Sequence, residues 1–265
     1  MTLARIPHLL CSLVILFFTA CNTLPKFSYH PTTIHIPDVK DKGDFSAFGT
    51  IGTYHCELQA AYSPIDKIVM QGSTMIGGDA RTSGEKRSYE VGLGYQFKPN
   101  KNNIITVRGL WGSHRNNNSL FDPPRERCGT NFEGKLDEFS YAFHNWAVQT
   151  DYIFTSKKTS LIFGSKLTRA NYDYAYMIEL EGVDAYNLLE SRNNFHSYFI
   201  SLNLGISAQL TSHLSFTSYV SVINQIFKEK AISSNSQFDH RYNTHLWSNG
   251  LTYTLKSKKR GQPNE

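Results

Sequence analysis

Histidine and aspartate side chains can transfer protons, and seven of them lie near one end of the strands that are predicted below. They are His55, His114, His144, His196, His245, Asp79 and Asp173. Acid–base catalysis requires such groups within hydrogen-bond reach of one another. No spacing among them matches a known catalytic set, and 10 histidines in 265 residues produce such a group by chance. Zinc-ligand spacing, a Gly-x-Ser-x-Gly motif and phosphate or calcium loops are absent too, so we expect no enzyme, metal or cofactor.

Cys21 has a more specific predicted chemistry, acylation of its thiol. It follows a cationic start at Arg5 and an apolar run from Leu9 to Phe18, so residues 1–20 are predicted to be a secretion signal. The run is too short for a membrane-spanning helix, which needs about 20 residues. The letters FTAC, ending at Cys21, resemble the lipobox of bacterial lipoproteins, which implies a palmitate-type anchor. Because no acidic run follows Cys21, we place residues 21–43 on the periplasmic side; an ordinary signal peptide with an incidental cysteine is the alternative.

Ten segments of the mature chain alternate apolar and polar residues, and no helical periodicity of useful length appears. Period-two alternation predicts β-strands, and most segments reach the roughly 9 to 11 residues that cross a bilayer as a tilted strand. The segments are Asp44–Gly52, Tyr54–Ser63, Lys67–Ile76, Arg87–Phe97, Ile104–His114, Phe139–Phe154, Thr159–Tyr176, Phe195–Leu210, Leu214–Phe227 and Thr244–Leu255.

The links between these segments alternate in length. Short turns read SPID, KPNKNN, TSKK and TSH, whereas the other end has longer links at 78–86, Arg115–Glu138, Met177–Asn194 and Lys228–Asn243. Only the first hairpin, near Gly52, is short at the long-link end. This pattern predicts an all-β, antiparallel up-and-down outer-membrane barrel over residues 44–255, with about 10 transmembrane strands. Residues 256–265 form a basic C-terminal tail.

Charged residues stand in mid-strand on the face opposite the apolar one. They are Glu57, Glu90, Arg108, Asp151 and Lys166, and we predict that they form a paired polar network in the lumen. A water-soluble lipocalin-like barrel is the alternative. Membrane insertion is favoured because aromatic residues border the apolar faces as interfacial girdles do, so the stripe from Tyr198 to Leu210 is predicted to face lipid. The girdle residues are Tyr62, Tyr95, Trp111, Trp146, Tyr152, Tyr198, Trp247 and Tyr253.

The two cysteines left after signal removal and acylation are Cys56 and Cys128. In an oxidising compartment they are free to pair, and the predicted topology places both at the long-link end. Two idle thiols are the alternative.

The predicted partners follow from surface chemistry. The chain has a basic tail and a net charge of +5, but it lacks the arrangement of basic and aromatic residues that is typical of nucleic-acid binding. We therefore expect no nucleic-acid partner. The bilayer is the expected partner, and NGLTYTLK, with Gly250, Tyr253 and Leu255, resembles the insertion signal of the outer-membrane assembly machinery. Small barrels are filled by side chains, which favours a structural or loop-binding role with a plugged lumen. A small channel, and least of all an enzyme at the outer rim, are the alternatives.

The first part of the mature chain also shows a family resemblance. From Tyr29 to Met75 the matching elements are Tyr29, Pro31, Pro37, KGD at 42–44, Gly49, Gly52 and LQxAYS at 58–63, and YEVGLGYQF at 89–97 continues the pattern. This stretch resembles small outer-membrane barrel proteins, many of them lipoproteins, of Bacteroidota. The resemblance implies the fold and the location. It implies no substrate, reaction or catalytic residue.

Overall fold

The computed structural model describes residues 39, 41–52, 55–77, 85–100, 102–121, 136–156, 158–181, 185–228 and 243–256. Within them lie ten strands, the number predicted. They are β1 (Phe45–Gly52), β2 (His55–Ile65), β3 (Ile68–Gly77), β4 (Glu85–Asn100), β5 (Asn103–Phe121), β6 (Leu136–Ser156), β7 (Thr159–Glu181), β8 (Ala185–Gln209), β9 (Leu214–Lys228) and β10 (Asn243–Leu255). No helix among these residues is long and apolar enough to cross a membrane.

The ten strands form one closed antiparallel barrel. Each strand pairs with its neighbours in sequence, and β1 pairs with β10 to close the sheet. The closing register joins Phe45 to Leu255 and Thr50 to Gly250. Closure removes the sheet edges, whose unpaired backbone groups could not be left in lipid. The predicted all-β up-and-down barrel is confirmed.

Tight turns join the strands at one end of the barrel. Between β2 and β3, Lys67 has a positive φ of 68°, and Ser63 Oγ lies 2.9 Å from the carbonyl oxygens of both Ile65 and Ile68. Between β4 and β5, the Asn102 N–H donates to Asn100 Oδ1 at 2.9 Å. Asn, Asp and Ser stabilise turns through such bonds between side chain and backbone. We call this the short-turn end and the opposite one the long-loop end.

At the long-loop end paired strands extend into two of the predicted loops, which corrects the prediction. β5 continues to Phe121 and β6 begins at Leu136, while β7 runs to Glu181 and β8 begins at Ala185. The sequence loses its apolar alternation there, so the pattern indicated loops. Ladder hydrogen bonds join backbone groups and need no alternation, and the paired register extends to Phe121↔Leu136 and Glu181↔Ala185. At about 3.3 Å per residue these hairpins extend well past a bilayer.

The outer surface of the barrel carries the apolar side chains. Leu58 is 57% exposed, Trp146 62% and Leu202 51%, and the stripe from Tyr198 to Leu210 lies on this outer face. Of the predicted girdle, the exposed or half-buried outer residues are Tyr62, Tyr95, Trp111, Trp146, Tyr152, Tyr198 and Tyr253; the Trp247 side chain lies outside the described part. An apolar outside around a partly polar inside is the pattern of a membrane-spanning barrel.

Candidate functional site

The lumen is lined by the alternate side chains that each strand turns inward. On β2 these are Glu57, Gln59, Ala61 and Ser63, all buried, whereas Leu58 and Tyr62 face outward. The five charged residues predicted for the lumen lie on this inner face and are all buried; they are Glu57, Glu90, Arg108, Asp151 and Lys166. Their contacts form two networks, each spanning several strands.

The Glu90 network joins Glu90, His114, Asn145 and Lys166, which lie on β4, β5, β6 and β7. Lys166 Nζ donates to both carboxylate oxygens of Glu90, at 2.8 and 2.7 Å. Asn145 Nδ2 donates to Glu90 Oε1 at 2.7 Å, and His114 Nε2 lies 3.0 Å from Asn145 Oδ1. A buried carboxylate is tolerated when its charge is paired and its oxygens are hydrogen-bonded. Both conditions are met at Glu90.

Gly112 makes this network possible. It lies on β5 directly between Glu90 on β4 and Asn145 on β6. A Cβ atom at Gly112 would lie 2.5 Å from Asn145 Oδ1 and 2.5 Å from Glu90 Cγ. The missing side chain therefore leaves the space in which two strands exchange a hydrogen bond across a third.

The Arg108 network lies nearer the short-turn end. Arg108 on β5 forms an ion pair with Asp151 on β6 and also donates to Gln71 Oε1 on β3. Gln149 Nε2 donates to Asp151 Oδ1 at 2.9 Å, which adds a neutral donor to the buried carboxylate. Planar guanidinium groups suit such a role because they bind several acceptors in fixed directions.

Two glutamines extend this network to β2. Gln71 Nε2 donates to Gln59 Oε1 at 3.3 Å, and Gln59 Nε2 donates to Glu57 Oε1 at 2.6 Å. Between Arg108 and Gln71 lies β4, where Gly94 stands beside Arg108; a Cβ atom there would lie 2.2 Å from Arg108 Cγ. A second inward glycine thus lets a long side chain cross a neighbouring strand.

An apolar layer fills the lumen between the Arg108 network and the short-turn end. This Phe48 cluster consists of Phe48, Ile104, Ile153, Ile162 and Tyr219, all buried. The rings of Phe48 and Tyr219 meet edge to face with centroids 5.9 Å apart. A Cβ atom at Gly205 would lie 2.5 Å from the Tyr219 ring, so glycine again accommodates a large inward side chain.

The chain before β1 packs into the same end of the barrel. Val39 is fully buried against Ala61 and Val69, which line the lumen on β2 and β3. Gly43 N donates to the Ser63 carbonyl oxygen at 2.7 Å, and Lys98 Nζ lies 3.0 Å from Asp41 Oδ1. The segment before β1 therefore contributes to closing the short-turn end.

An aromatic layer covers the Glu90 network toward the long-loop end. This Phe143 cluster contains Tyr141, Phe143, Ala170, Ala175, Phe199 and Ile223, with Tyr172 and Phe195 packed against it. The His114 ring stacks on Phe143 with centroids 4.4 Å apart. Tyr172 stacks on Phe195 at 4.5 Å. The two charged networks therefore lie between two apolar clusters along the barrel axis.

Of the histidines proposed from the sequence, the three whose side chains are described do not converge. His114 lies inside the barrel, while His144 and His196 lie on the outer face, where His144 Nε2 is 3.5 Å from Asp173 Oδ2. The side chains of His55, His245 and Asp79 lie outside the described part. Within the described ranges no three His, Cys, Asp or Glu residues are grouped so as to hold a metal ion.

The cysteines predicted to pair or to carry lipid are only partly described. Cys56 is exposed on the outer face of β2, on the same side as Leu58. Cys128 and Cys21 lie outside the described residues, so the Cys56–Cys128 bond and the lipid anchor stay predictions.

Sequence reasoning missed the two apolar layers. Phe143 shares its strand parity with Asn145 and Gln149, and Tyr219 shares its parity with Thr217 and Ser221. The signal was therefore present, since parity alone assigns these rings to the inside. It was hidden because β6, β8 and β9 carry large apolar residues on both parities.

Comparison with known proteins finds no matching family model and no similar curated protein. Among solved structures, the outer membrane protease OmpT from Escherichia coli is 8% identical over 84% of this chain and 100% of its own, with a TM-score of 0.47. The translocator domain of the autotransporter NalP from Neisseria meningitidis is 10% identical over 79% of this chain and 87% of its own, at 0.41. The attachment invasion locus protein Ail of Yersinia pestis is 13% identical over 81% of this chain and 99% of its own, with a TM-score of 0.33. Likenesses at this level do not bear on activity.

Proposed function

We propose that this chain is an outer-membrane barrel with a closed lumen, which acts as a structural element or through its long-loop-end hairpins. The observation that carries the proposal is the layered filling of the lumen. The Phe48 cluster, the Arg108 and Glu90 networks and the Phe143 cluster follow one another along the barrel axis. A conducting pore needs a continuous hydrated path, and each of these layers interrupts it. The outward apolar face argues against a water-soluble barrel.

Single-channel recording in planar bilayers tests the closed lumen. Wild-type protein is expected to show no discrete conductance steps. An opened variant truncates side chains in every layer and is expected to conduct; its substitutions are Phe48→Ala, Tyr219→Ala, Arg108→Ser, Asp151→Ser, Glu90→Ser, Lys166→Ser, Phe143→Ala and Phe199→Ala. Leu202→Ala with Val148→Ala, both on the outer face, serves as the matched control and should remain closed. Wild-type steps as large as those of the opened variant would contradict the proposal.

We further propose that the extended hairpins face the outside of the cell. Strands β7 and β8 contain 23 and 25 residues, more than twice what a bilayer requires, so their paired ends offer a surface for a binding partner. Trypsin added to intact cells should cut in these hairpins. Lys67 and Lys158, in turns at the opposite end, should be protected until the membrane is breached. Early cleavage at Lys67 or Lys158 would mean the reverse orientation.

The lipid anchor predicted at Cys21 belongs to the same proposal. Residues 41–44 meet the barrel at the short-turn end, which supports an N-terminal segment that approaches from the periplasm. Wild-type protein should incorporate labelled palmitate and Cys21→Ala should not. Both should keep a heat-dependent mobility shift in SDS, since the barrel does not depend on the anchor. Label retained by Cys21→Ala would reject the site. Membership of the Bacteroidota lipoprotein-barrel family remains part of this proposal.

A further inference from the structure

A cationic side chain stands within the aromatic girdle of the outer wall. Arg169 on β7 is exposed, and its register partners on the outer face are Trp146 on β6 and Tyr198 on β8. The Arg169 Cζ atom lies 6.0 Å from the centroid of the Tyr198 ring. Tyr and Trp on an outer face mark the boundary between acyl chains and headgroups. The guanidinium group of Arg169 therefore lies at that boundary.

The position of Arg169 along its strand gives the same depth. β7 begins at Thr159, beside a short turn, and the outward side chains between it and Arg169 carry no charge; they are Leu161, Phe163, Ser165 and Leu167. The ten residues from Thr159 to Arg169 rise about 33 Å along the strand, or about 25 Å along the axis at a tilt near 40°. The apolar band of an outer-membrane barrel has about this height. Arg169 therefore reaches the headgroup layer on the long-loop side.

The N–H donors of Arg169 are available to a ligand. In the part of the chain that the structure describes, no carboxylate lies within ion-pair distance of its guanidinium group. Asp173, the next carboxylate along β7, instead lies 3.5 Å from His144 Nε2. Asn171, the next outward residue of β7, has no hydrogen-bond partner among the described residues either. Guanidinium and amide donors thus stand about 7 Å apart along one strand, on the same face.

An apolar surface continues from Arg169 toward the middle of the membrane. The next outward residue of β7 in that direction is Leu167, whose register partners are Val148 on β6 and Ile200 on β8. All three lie on the outer face. Acyl chains bury such a surface, whereas a free anion gains nothing from it. A cationic group above an apolar surface therefore matches an anionic lipid better than a free anion.

We propose that Arg169 binds the phosphate of an anionic lipid in the outer leaflet, with Asn171 as a second donor. A guanidinium group binds a phosphate through two parallel N–H donors. The acyl chains of that lipid lie along Leu167 and Val148. The choice of leaflet rests on the proposed orientation of the barrel, with the long-loop end outward. The site does not depend on whether the lumen is closed.

Native mass spectrometry of the detergent-solubilised full chain tests the site. Phosphatidic acid is the probe, and diacylglycerol with the same acyl chains is the uncharged comparison. Wild type is expected to retain phosphatidic acid in preference to diacylglycerol. Arg169→Gln should lower the affinity for phosphatidic acid about tenfold or more, because charge-assisted hydrogen bonds are lost.

Arg115→Gln is the matched control. Arg115 is also an exposed arginine of the outer wall, but it lies on β5 four residues beyond Trp111, which is level with Trp146 and Arg169. The same substitution there removes the same charge farther from the acyl chains. Arg115→Gln should therefore bind phosphatidic acid as wild type does.

Four results would overturn the proposal. They are wild-type affinity in Arg169→Gln, an equal loss in Arg115→Gln, equal retention of diacylglycerol by wild type, and displacement of the lipid by inorganic phosphate at a concentration matching its own. The last result would assign the site to free phosphate. The heat-dependent mobility shift in SDS, measured for every variant, reports separately whether the barrel has formed. Trypsin accessibility tests the orientation, on which lipid retention in detergent does not depend, so failure of the lipid site and failure of the proposed function are distinguishable.

Discussion

The inner walls of the barrel differ between its two halves. Strands β4 to β7 contribute Glu90, Arg108, Asp151 and Lys166 to the lumen, whereas the described inward side chains of β8, β9, β10 and β1 include no charged group. That second half, the hydroxyl wall, consists mainly of small polar residues, among them Ser46, Thr50, Ser201, Thr217, Ser221, Ser248 and Thr252. Long charged side chains from one wall thus occupy the lumen at the level of the two networks. The opposite wall contributes large side chains chiefly to the two apolar layers, with Phe48, Phe199, Tyr219 and Ile223.

The hydrogen bonds reinforce the contrast. In the charged half they connect three or four strands, as Glu90 does with Asn145 and Lys166. In the hydroxyl wall they join neighbouring strands, as in the 2.9 Å bond from Thr217 Oγ1 to Ser207 Oγ. The free energy of unfolding should therefore respond much more strongly to substitutions in the charged half.

The largest expected effect is that of breaking the Glu90–Lys166 ion pair. Glu90→Ala leaves the Lys166 ammonium group buried without its carboxylate and should lower the free energy of unfolding by about 3 to 5 kcal/mol. This loss is measured by guanidinium unfolding in detergent, with tryptophan fluorescence as the signal. Ser201→Ala, at an equally buried position in the hydroxyl wall, should change stability by less than about 1 kcal/mol.

A double variant sharpens this result. Glu90→Met with Lys166→Met removes both charges and should recover much of the stability lost in Glu90→Ala, because no unpaired charge remains. If Glu90→Ala and Ser201→Ala proved equally stable, the charged half would not have the energetic importance assigned to it here.

An intermediate effect is expected at Gly112. Gly112→Ala places a Cβ atom 2.5 Å from both Asn145 Oδ1 and Glu90 Cγ, so the network must shift. We expect a loss of about 1 to 3 kcal/mol by the same unfolding measurement. Gly109→Ala is the matched control on β5, since a Cβ atom there meets nothing within 4 Å. Equal losses at both positions would point to the strand backbone instead of the network.

The last comparison takes one hydrogen bond from each half and includes the smallest expected effect, that at Thr217. Asn145→Leu removes a donor to a buried carboxylate and should cost about 1.5 to 3 kcal/mol, whereas Thr217→Val removes a bond between two hydroxyl groups and should cost about 0.5 to 1.5 kcal/mol. Both losses of stability are measured by urea unfolding of the detergent-solubilised variants. A larger loss for Thr217→Val would reverse the proposed order of the two halves.

Strand number and facing were accessible from the sequence because they depend on local periodicity. Alternation with period two placed Glu57, Arg108 and Lys166 opposite their apolar neighbours, and the structure buries all three. Strand ends at the long-loop side were not accessible. Residues 116–121 on β5 and 185–194 on β8 lose the alternation, yet the backbone ladder continues through them.

The sequence by itself determined that this chain forms ten strands, which residues of most strands face outward, and that charged residues lie within the barrel. These properties follow from residue type and spacing along one strand. Only the tertiary structure decided that Lys166 pairs with Glu90 and Arg108 with Asp151, and that Gly112 and Gly94 clear the paths between them. Such contacts depend on the registers of several strands at once and on the curvature of a closed sheet, which no single segment specifies.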